Sequence, residues 1–143
     1  MKQKTKQQDF KPDLVIDASF GVLGRIASFA AKQSLLGKKV AIVNCNNAII
    51  TGNPRSSINE YIALRRKGGT AIKGPFFPKS PEKIIKRTIR GMLSHKQQRG
   101  LLALRRIFCY NGIPEEFSSS KKISLSREIK NKSMLLAELS KEI

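Results

Sequence analysis

The sequence predicts an α/β fold organised on a mainly parallel sheet, and three observations carry that prediction. A short apolar run, Leu14-Val15-Ile16, leads through "DASFGVLGRIAS" into a helical pattern. A second run, Val40 to Val43, is apolar without alternation, the pattern of a strand covered on both faces. The helix between them completes a β-α-β unit, for which a right-handed crossover between parallel strands is expected.

The elements follow in order. Leu14–Ala18 is expected as a buried strand. Leu23, Ile26, Ala27, Ala30 and Ser34 repeat at helical spacing, and Gly37 suits the position after that helix. "KKVAIVNC" is the second strand, and "NAIITGNP" holds a short extended piece and a turn. Asn53 can cap the next helix, with Pro54 in its first turn. Ile58, Tyr61 and Ile62 share one face of that helix, which stops at Gly68-Gly69. Residues 68–80 carry three glycines and two prolines and are expected as a long loop, a type of segment that is often functional.

Pro81 opens the clearest helix, running through Leu93. Ile84, Ile85, Thr88, Ile89 and Met92 line one face, with Lys83, Lys86, Arg87 and Arg90 opposite. A short helix is expected near Gln98–Arg105, then a strand at "RIFCY" and a turn at Asn111-Gly112. "EEFSSSKK" reads as a linker, and a C-terminal helix is expected over about 126–142. The domain organisation is then a basic N-terminal arm (1–12), an α/β core (13–117), and a linker with a C-terminal helix that packs on the core or on a partner (118–143). The lysine-rich residues 1–11 are expected to order only on that partner.

Charge narrows the function. The 143 residues carry a net +18 with 40% apolar content, enough for one domain with a real core. Such a charge opposes compaction unless a polyanion neutralises it. Nucleic acid is the first candidate and an anionic membrane surface the second. The membrane case rests on charge alone, because no apolar run approaches the roughly 18 residues of a spanning helix. The N-terminus lacks the apolar stretch of a signal peptide. Cys45 and Cys109 are expected as buried free thiols in a reducing compartment, with a disulfide between them the less favoured alternative.

Between residues 54 and 106 there are fourteen basic residues against two acids, Glu60 and Glu82. So few acids cannot supply salt-bridge partners, and phosphates would relieve the repulsion while releasing counterions. Arg25 lies in the first turn of its helix, where a cation opposes the helix dipole. A phosphate at that N-terminus would be held by backbone N–H groups and Arg25 together. The plainer alternative is that Arg25 extends into water or pairs with Asp17.

"DASFGVLG" half-matches a dinucleotide fingerprint, but Ser19 stands where the first glycine belongs. The second strand ends in Asn44-Cys45-Asn46-Asn47, without a carboxylate for a ribose. Gly21 and Gly24 are instead expected to permit tight chain passage and close helix–sheet packing. A single histidine, His95, and the lack of paired carboxylates argue against an active site. His95 either bonds or stacks on RNA or is an ordinary loop histidine. Phe76 and Phe77 either stack on bases, anchor in a neighbouring protein, or pack the loop on its own domain.

"TIRGMLSHKQQRGLLALRRIFCYNG" (88–112) resembles the signature region of the large-subunit ribosomal protein L13 family, also written uL13. The matching features are Arg90-Gly91-Met92-Leu93, then Gly100, then an apolar strand ending at Asn111-Gly112. "VIDASFGVLGRIAS" (15–28), "LLGKKVAIVNCNNAIITGN" (35–53) and "LAELSKEI" (136–143) agree with it. The chain is similar to the archaeal and eukaryotic type, since its second strand follows "LLGKK" directly and "GIPEEF" follows the turn. Ser94 departs from the pattern, which commonly has proline there.

The resemblance implies a three-layer α/β/α fold around a mainly parallel sheet of about four strands. It implies a non-enzymatic component of the large ribosomal subunit, cytoplasmic, with nucleolar assembly if the source is eukaryotic. The expected partners are large-subunit rRNA and neighbouring large-subunit proteins, with no cofactor, metal, small-molecule substrate, membrane or homo-oligomer. The candidate RNA-binding residues are Arg25, Arg55, Arg65, Arg66, Lys67, Lys73, Lys79, Lys83, Lys86, Arg87, Arg90, His95, Lys96, Arg99 and Arg105. The competing class is an RNA-modifying or nucleotide-binding enzyme on a similar scaffold.

Overall fold

The computed structural model describes residues 10–67, 71 and 73–143. Most of the expected N-terminal arm, residues 1–9, lies outside them, as do residues 68–70 and 72 of the expected loop. In chain order the elements are β1 (Leu14–Asp17), α1 (Leu23–Leu35), β2 (Val40–Val43), β3 (Ile49–Thr51), α2 (Pro54–Arg65), α3 (Pro81–Met92), α4 (Gln98–Arg105), β4 (Ile107–Cys109), β5 (Lys122–Ser124), β6 (Ser133–Leu135) and α5 (Leu136–Glu142). Short 3₁₀ turns occupy Cys45–Asn47 and Glu115–Phe117.

The main sheet has four strands in the order β4-β2-β1-β5, and every pairing in it is parallel. The fold is a three-layer α/β arrangement. Alternate strand residues separate its two cores. Ile16, Val40, Ile42 and Ile107 face α1, α3 and α4. Val15, Ala41 and Val43 face the other way, against Phe117, Phe10 and Tyr110. The unbroken apolar run of β2 therefore serves both faces, as its pattern predicts.

Leu23, Ile26, Ala27, Ala30 and Ser34 of α1 are all buried. Gly37 closes that helix with φ +95°, a conformation open to glycine at little cost. The Asn53 side chain accepts from the Arg55 amide, with Pro54 in the first turn, as expected. The Asn111 side chain accepts from the Glu82 amide at 3.2 Å, so a turn distant in sequence satisfies an N-terminal N–H of α3.

Three expectations are corrected. The C-terminal helix is only Leu136–Glu142, and the stretch before it supplies strands. β5 pairs in parallel with β1, and β6 pairs antiparallel with β3. Gly24 does not pack closely, since a Cβ there meets nothing within 4 Å. Gly21 does, with Ile26 Cδ1 at 2.9 Å and the Leu125 carbonyl oxygen at 3.4 Å from a Cβ position. Met92 is 46% exposed and is not part of the core.

The "DASF" turn is braced from within the protein. Asp17 Oδ1 accepts from the Ser19 amide and from Asn44 Nδ2, both at 3.0 Å. The Phe20 amide donates to the Asn47 carbonyl at 3.0 Å. Phe20 and Asn44 both adopt left-handed backbone, φ +56° and +57°. Burial pulls the Asp17 carboxyl up, but its two hydrogen bonds and the nearby Lys122 charge outweigh burial and hold its pKa below the ordinary value.

Two outcomes are expected. A Cβ at Gly100 would overlap the Ser94 carbonyl group and lie 2.9 Å from the His95 nitrogen, all of it backbone. Gly100→Ala should therefore cost about 2 kcal/mol or more in urea denaturation. Asp17→Asn should cost about 1–2 kcal/mol at neutral pH. A depressed carboxyl pKa stabilises the fold above the unfolded value of about 3.9 and loses that contribution as pH falls through the folded value. The gap between Asp17→Asn and the unaltered chain should close below about pH 4. A gap unchanged at low pH would place the effect in packing.

Candidate nucleic-acid interface

α3 organises four of the expected cations on one helix. Ile84, Ile85 and Ile89 fix one face of the helix in the core. Geometry then forces Lys83, Lys86, Arg87 and Arg90 outward, and they line one groove of ≈ 210 Å³ together with Leu104 of α4. They do not play equal parts. Lys83 and Arg90 are exposed. Lys86 is half-buried, donates from Nζ to the Ile107 carbonyl at 2.8 Å, and lies 5.2 Å from the centre of the Phe108 ring. Arg87 is half-buried, donates to the Phe76 carbonyl at 3.2 Å, and sits 3.9 Å over the Phe77 ring. Lys86 thus holds the start of β4, and Arg87 fastens the loop to the helix.

That contact also divides the two phenylalanines. Phe77 packs on its own domain, against Arg87 and beside Tyr61 and Ile84. Phe76 is 75% exposed. Lys73 and Lys79 flank them on the same loop, both exposed.

His95 follows α3. Its Nδ1 lies 3.1 Å from the Arg90 carbonyl and 3.4 Å from that of Leu93, so the ring satisfies acceptors at the helix C-terminus. Lys96, Arg99 and Arg105 are exposed on or beside α4. Arg106, which was not among the expected contacts, donates to the Ser34 carbonyl at the end of α1 at 3.1 Å.

The remaining cations form separate groups. Arg55 starts α2, and Arg65, Arg66 and Lys67 end it, about 16 Å away along the axis. Arg65 donates to the Ile143 carbonyl oxygen. Arg25 is exposed in the first turn of α1, with Val22 as an N-cap that makes no side-chain bond and no acid nearby in that turn. The Asp17 carboxylate is engaged by Ser19 and Asn44. Arg25 shares a groove of ≈ 590 Å³ with Lys32, Arg127 and the serines 28, 124 and 126. Lys32 and Arg127 escaped the sequence reading. Lys32 was legible, lying two turns from Arg25 on the same helical face. Arg127 was placed on a helix and instead follows β5.

Chemically, this surface can hold phosphates. Among the described residues no group of three His, Cys, Asp or Glu side chains could hold a metal ion. Cys45 and Cys109 are both free. Cys45 Sγ donates to the Ile42 carbonyl at 3.7 Å, and the neighbouring Cys109 thiol together with burial pushes its pKa up, away from a nucleophilic thiolate. Among the described residues no helix is long and apolar enough to cross a membrane.

An α/β platform with an exposed cationic flank is the class of protein that this fold and surface define. The chain belongs to the ribosomal protein L13 family, whose family model matches residues 11–116. It is 39% identical over 134 residues to the large ribosomal subunit protein uL13 of Methanococcoides burtonii, covering 90% of this chain and 96% of that one. It is 44% identical over 113 residues to uL13 of Methanosarcina barkeri, covering 78% and 80%. With uL13 of Thermoplasma volcanium it shares 40% over 132 residues, covering 90% and 96%. The enzyme alternative finds no support in these relatives, which are ribosomal proteins by name. They are archaeal, so the nucleolar expectation has no support either.

The division within α3 has a measurable consequence. Lys86→Met and Arg87→Met should each lower stability by about 1 kcal/mol in urea denaturation, through lost bonds to carbonyls and rings. Lys83→Met and Arg90→Met should stay within about 0.5 kcal/mol of the unaltered chain. Equal effects at all four positions would contradict the assignment.

Proposed function

We propose that this chain is a structural component of the large ribosomal subunit that binds and organises large-subunit rRNA. It would work in the cytoplasm among neighbouring subunit proteins. One observation carries the reading. A member of the ribosomal protein L13 family presents exposed Lys83 and Arg90 on a helix anchored in its core, with Lys79, Lys96, Arg99 and Arg105 exposed on the adjoining segments.

In this reading, residues 13–117 supply a rigid platform and the 1–12 arm orders on RNA. Residues 118–143 complete the platform by packing on it. Lys83 and Arg90 neutralise phosphates where rRNA segments converge, with arginine suited to bidentate contact and lysine acting as a point charge. Lys86, Arg87 and His95 hold the surface in shape and add field rather than first contact. Arg55 at one end of α2, and Arg65, Arg66 and Lys67 at the other, reach a second stretch of backbone. Arg25, with Arg127, receives a phosphate at the N-terminus of α1. Lys73 steers the loop, and the exposed Phe76 ring offers a stacking face.

The test is sucrose-gradient fractionation of a lysate at moderate and high salt. The chain should stay with the large subunit at both. Release at moderate salt would mean a transient partner and would overturn the structural role. With rRNA fragments in vitro, Lys83→Ala combined with Arg90→Ala should flatten the log–log salt dependence by roughly 1.5 while the fold survives. An unchanged slope would move the interface elsewhere.

A further inference from the structure

Three large apolar side chains reach solvent together at helix ends. Leu35 and Leu36 close α1, and Met92 closes α3. They are 36%, 68% and 46% exposed. Leu35, Leu36 and Met92 line one open groove of ≈ 640 Å³ together with Ser28, Ala31, Lys32 and Arg99. No carboxylate is among those lining residues.

The core does not need this exposure. Ile84, Ile85 and Ile89 already fill the inner face of α3, and Ala27, Ala30 and Ala31 that of α1. Grouped leucine and methionine side chains at a surface mark an interaction site more often than an accident of folding.

The chemistry of the lining selects the occupant. A phosphate backbone gains nothing from leucine or methionine, and bases stack on flat aromatic or guanidinium faces. A second copy of this chain would bring a further +18 to a surface already bordered by cations. A polypeptide with apolar anchors flanked by Asp or Glu satisfies both features, because its anchors fill the groove and its acids meet Lys32 and Arg99. We infer that the Leu35–Leu36–Met92 groove docks an acidic, amphipathic segment of a neighbouring protein in the assembled particle. This rests on the reading of the chain as a large-subunit component, and it gives Arg99 a protein partner rather than an RNA one.

The experiment places the photoreactive residue benzoylphenylalanine at Leu36 in the full chain expressed in cells. Large subunits are isolated on a gradient, irradiated and digested with nuclease and protease, and the adduct is sequenced by mass spectrometry. The expected adduct is a peptide of another protein with apolar residues flanked by Asp or Glu. Lys32→Glu combined with Arg99→Glu should reduce its yield about tenfold. An adduct with RNA, with a peptide of this chain, or with a peptide lacking acids overturns the docking site. So does the absence of any adduct, or a yield indifferent to charge reversal. The gradient separates two failures. If the chain is present in the subunit without the expected adduct, only the docking site falls. If it is absent from the subunit fraction, the ribosomal reading falls and the docking site with it.

Discussion

Backbone carbonyl oxygens hold several of this chain's cations in place. Lys86 is held by Ile107, Arg87 by Phe76, Arg106 by Ser34, and Lys122 by Ser118 and Ser120. With 28 basic and 10 acidic residues, carboxylates could not serve them all. A carboxylate would also cancel the charge it positions. A carbonyl fixes the side chain, satisfies its own unpaired lone pair at a helix or strand end, and leaves the cation's full charge in place. The same bonds therefore build the fold and preserve its field. That field keeps the isolated domain under self-repulsion and makes a polyanion a stabilising partner.

The sheet supplies the rigidity on which this depends. Its four parallel strands are covered on both faces, so α1, α3 and α4 are pinned through buried isoleucines and alanines. Backbone pressed on backbone at Gly100 and Ser94 sets how closely α4 follows α3. The cationic side chains thus stand on elements whose separation is fixed by packing, which favours a shaped partner over a diffuse one.

Much of this was legible in the sequence because it depends on local pattern. The β-α-β start, the apolar stripe of α1, the Asn53-Pro54 start of α2 and the bounds of α4 all follow from spacing and capping chemistry. The C-terminal third was not. Residues 122–124 and 133–135 become strands because β1 and β3 offer open edges, a property of the assembled fold that no local period encodes. For the interface, the basic face of α3 was legible as a stripe, but the division of labour within it was not. Whether Arg87 meets solvent or Phe77 depends on where a glycine- and proline-rich loop lands. Asp17 and Asn44 lie 27 residues apart and meet only through β-strand register. Met92 fitted the helical period yet lies exposed in an open groove beside the end of α1, which no local period encodes.

The pairing of β5 with β1 also dictates an order of events during synthesis. β1 leaves the ribosome early, and its free edge must wait for residues 122–124 before the sheet is complete. β3 waits in the same way for residues 133–135. The hydrogen-bonding edges of two early strands thus stay open until residues 122–135 have been made, a hazard for pairing with other chains. Loop closure over more than a hundred residues further slows the final step. A nascent chain of this design has reason to be escorted, or to reach its polyanionic partner, before it is left alone in a crowded cell.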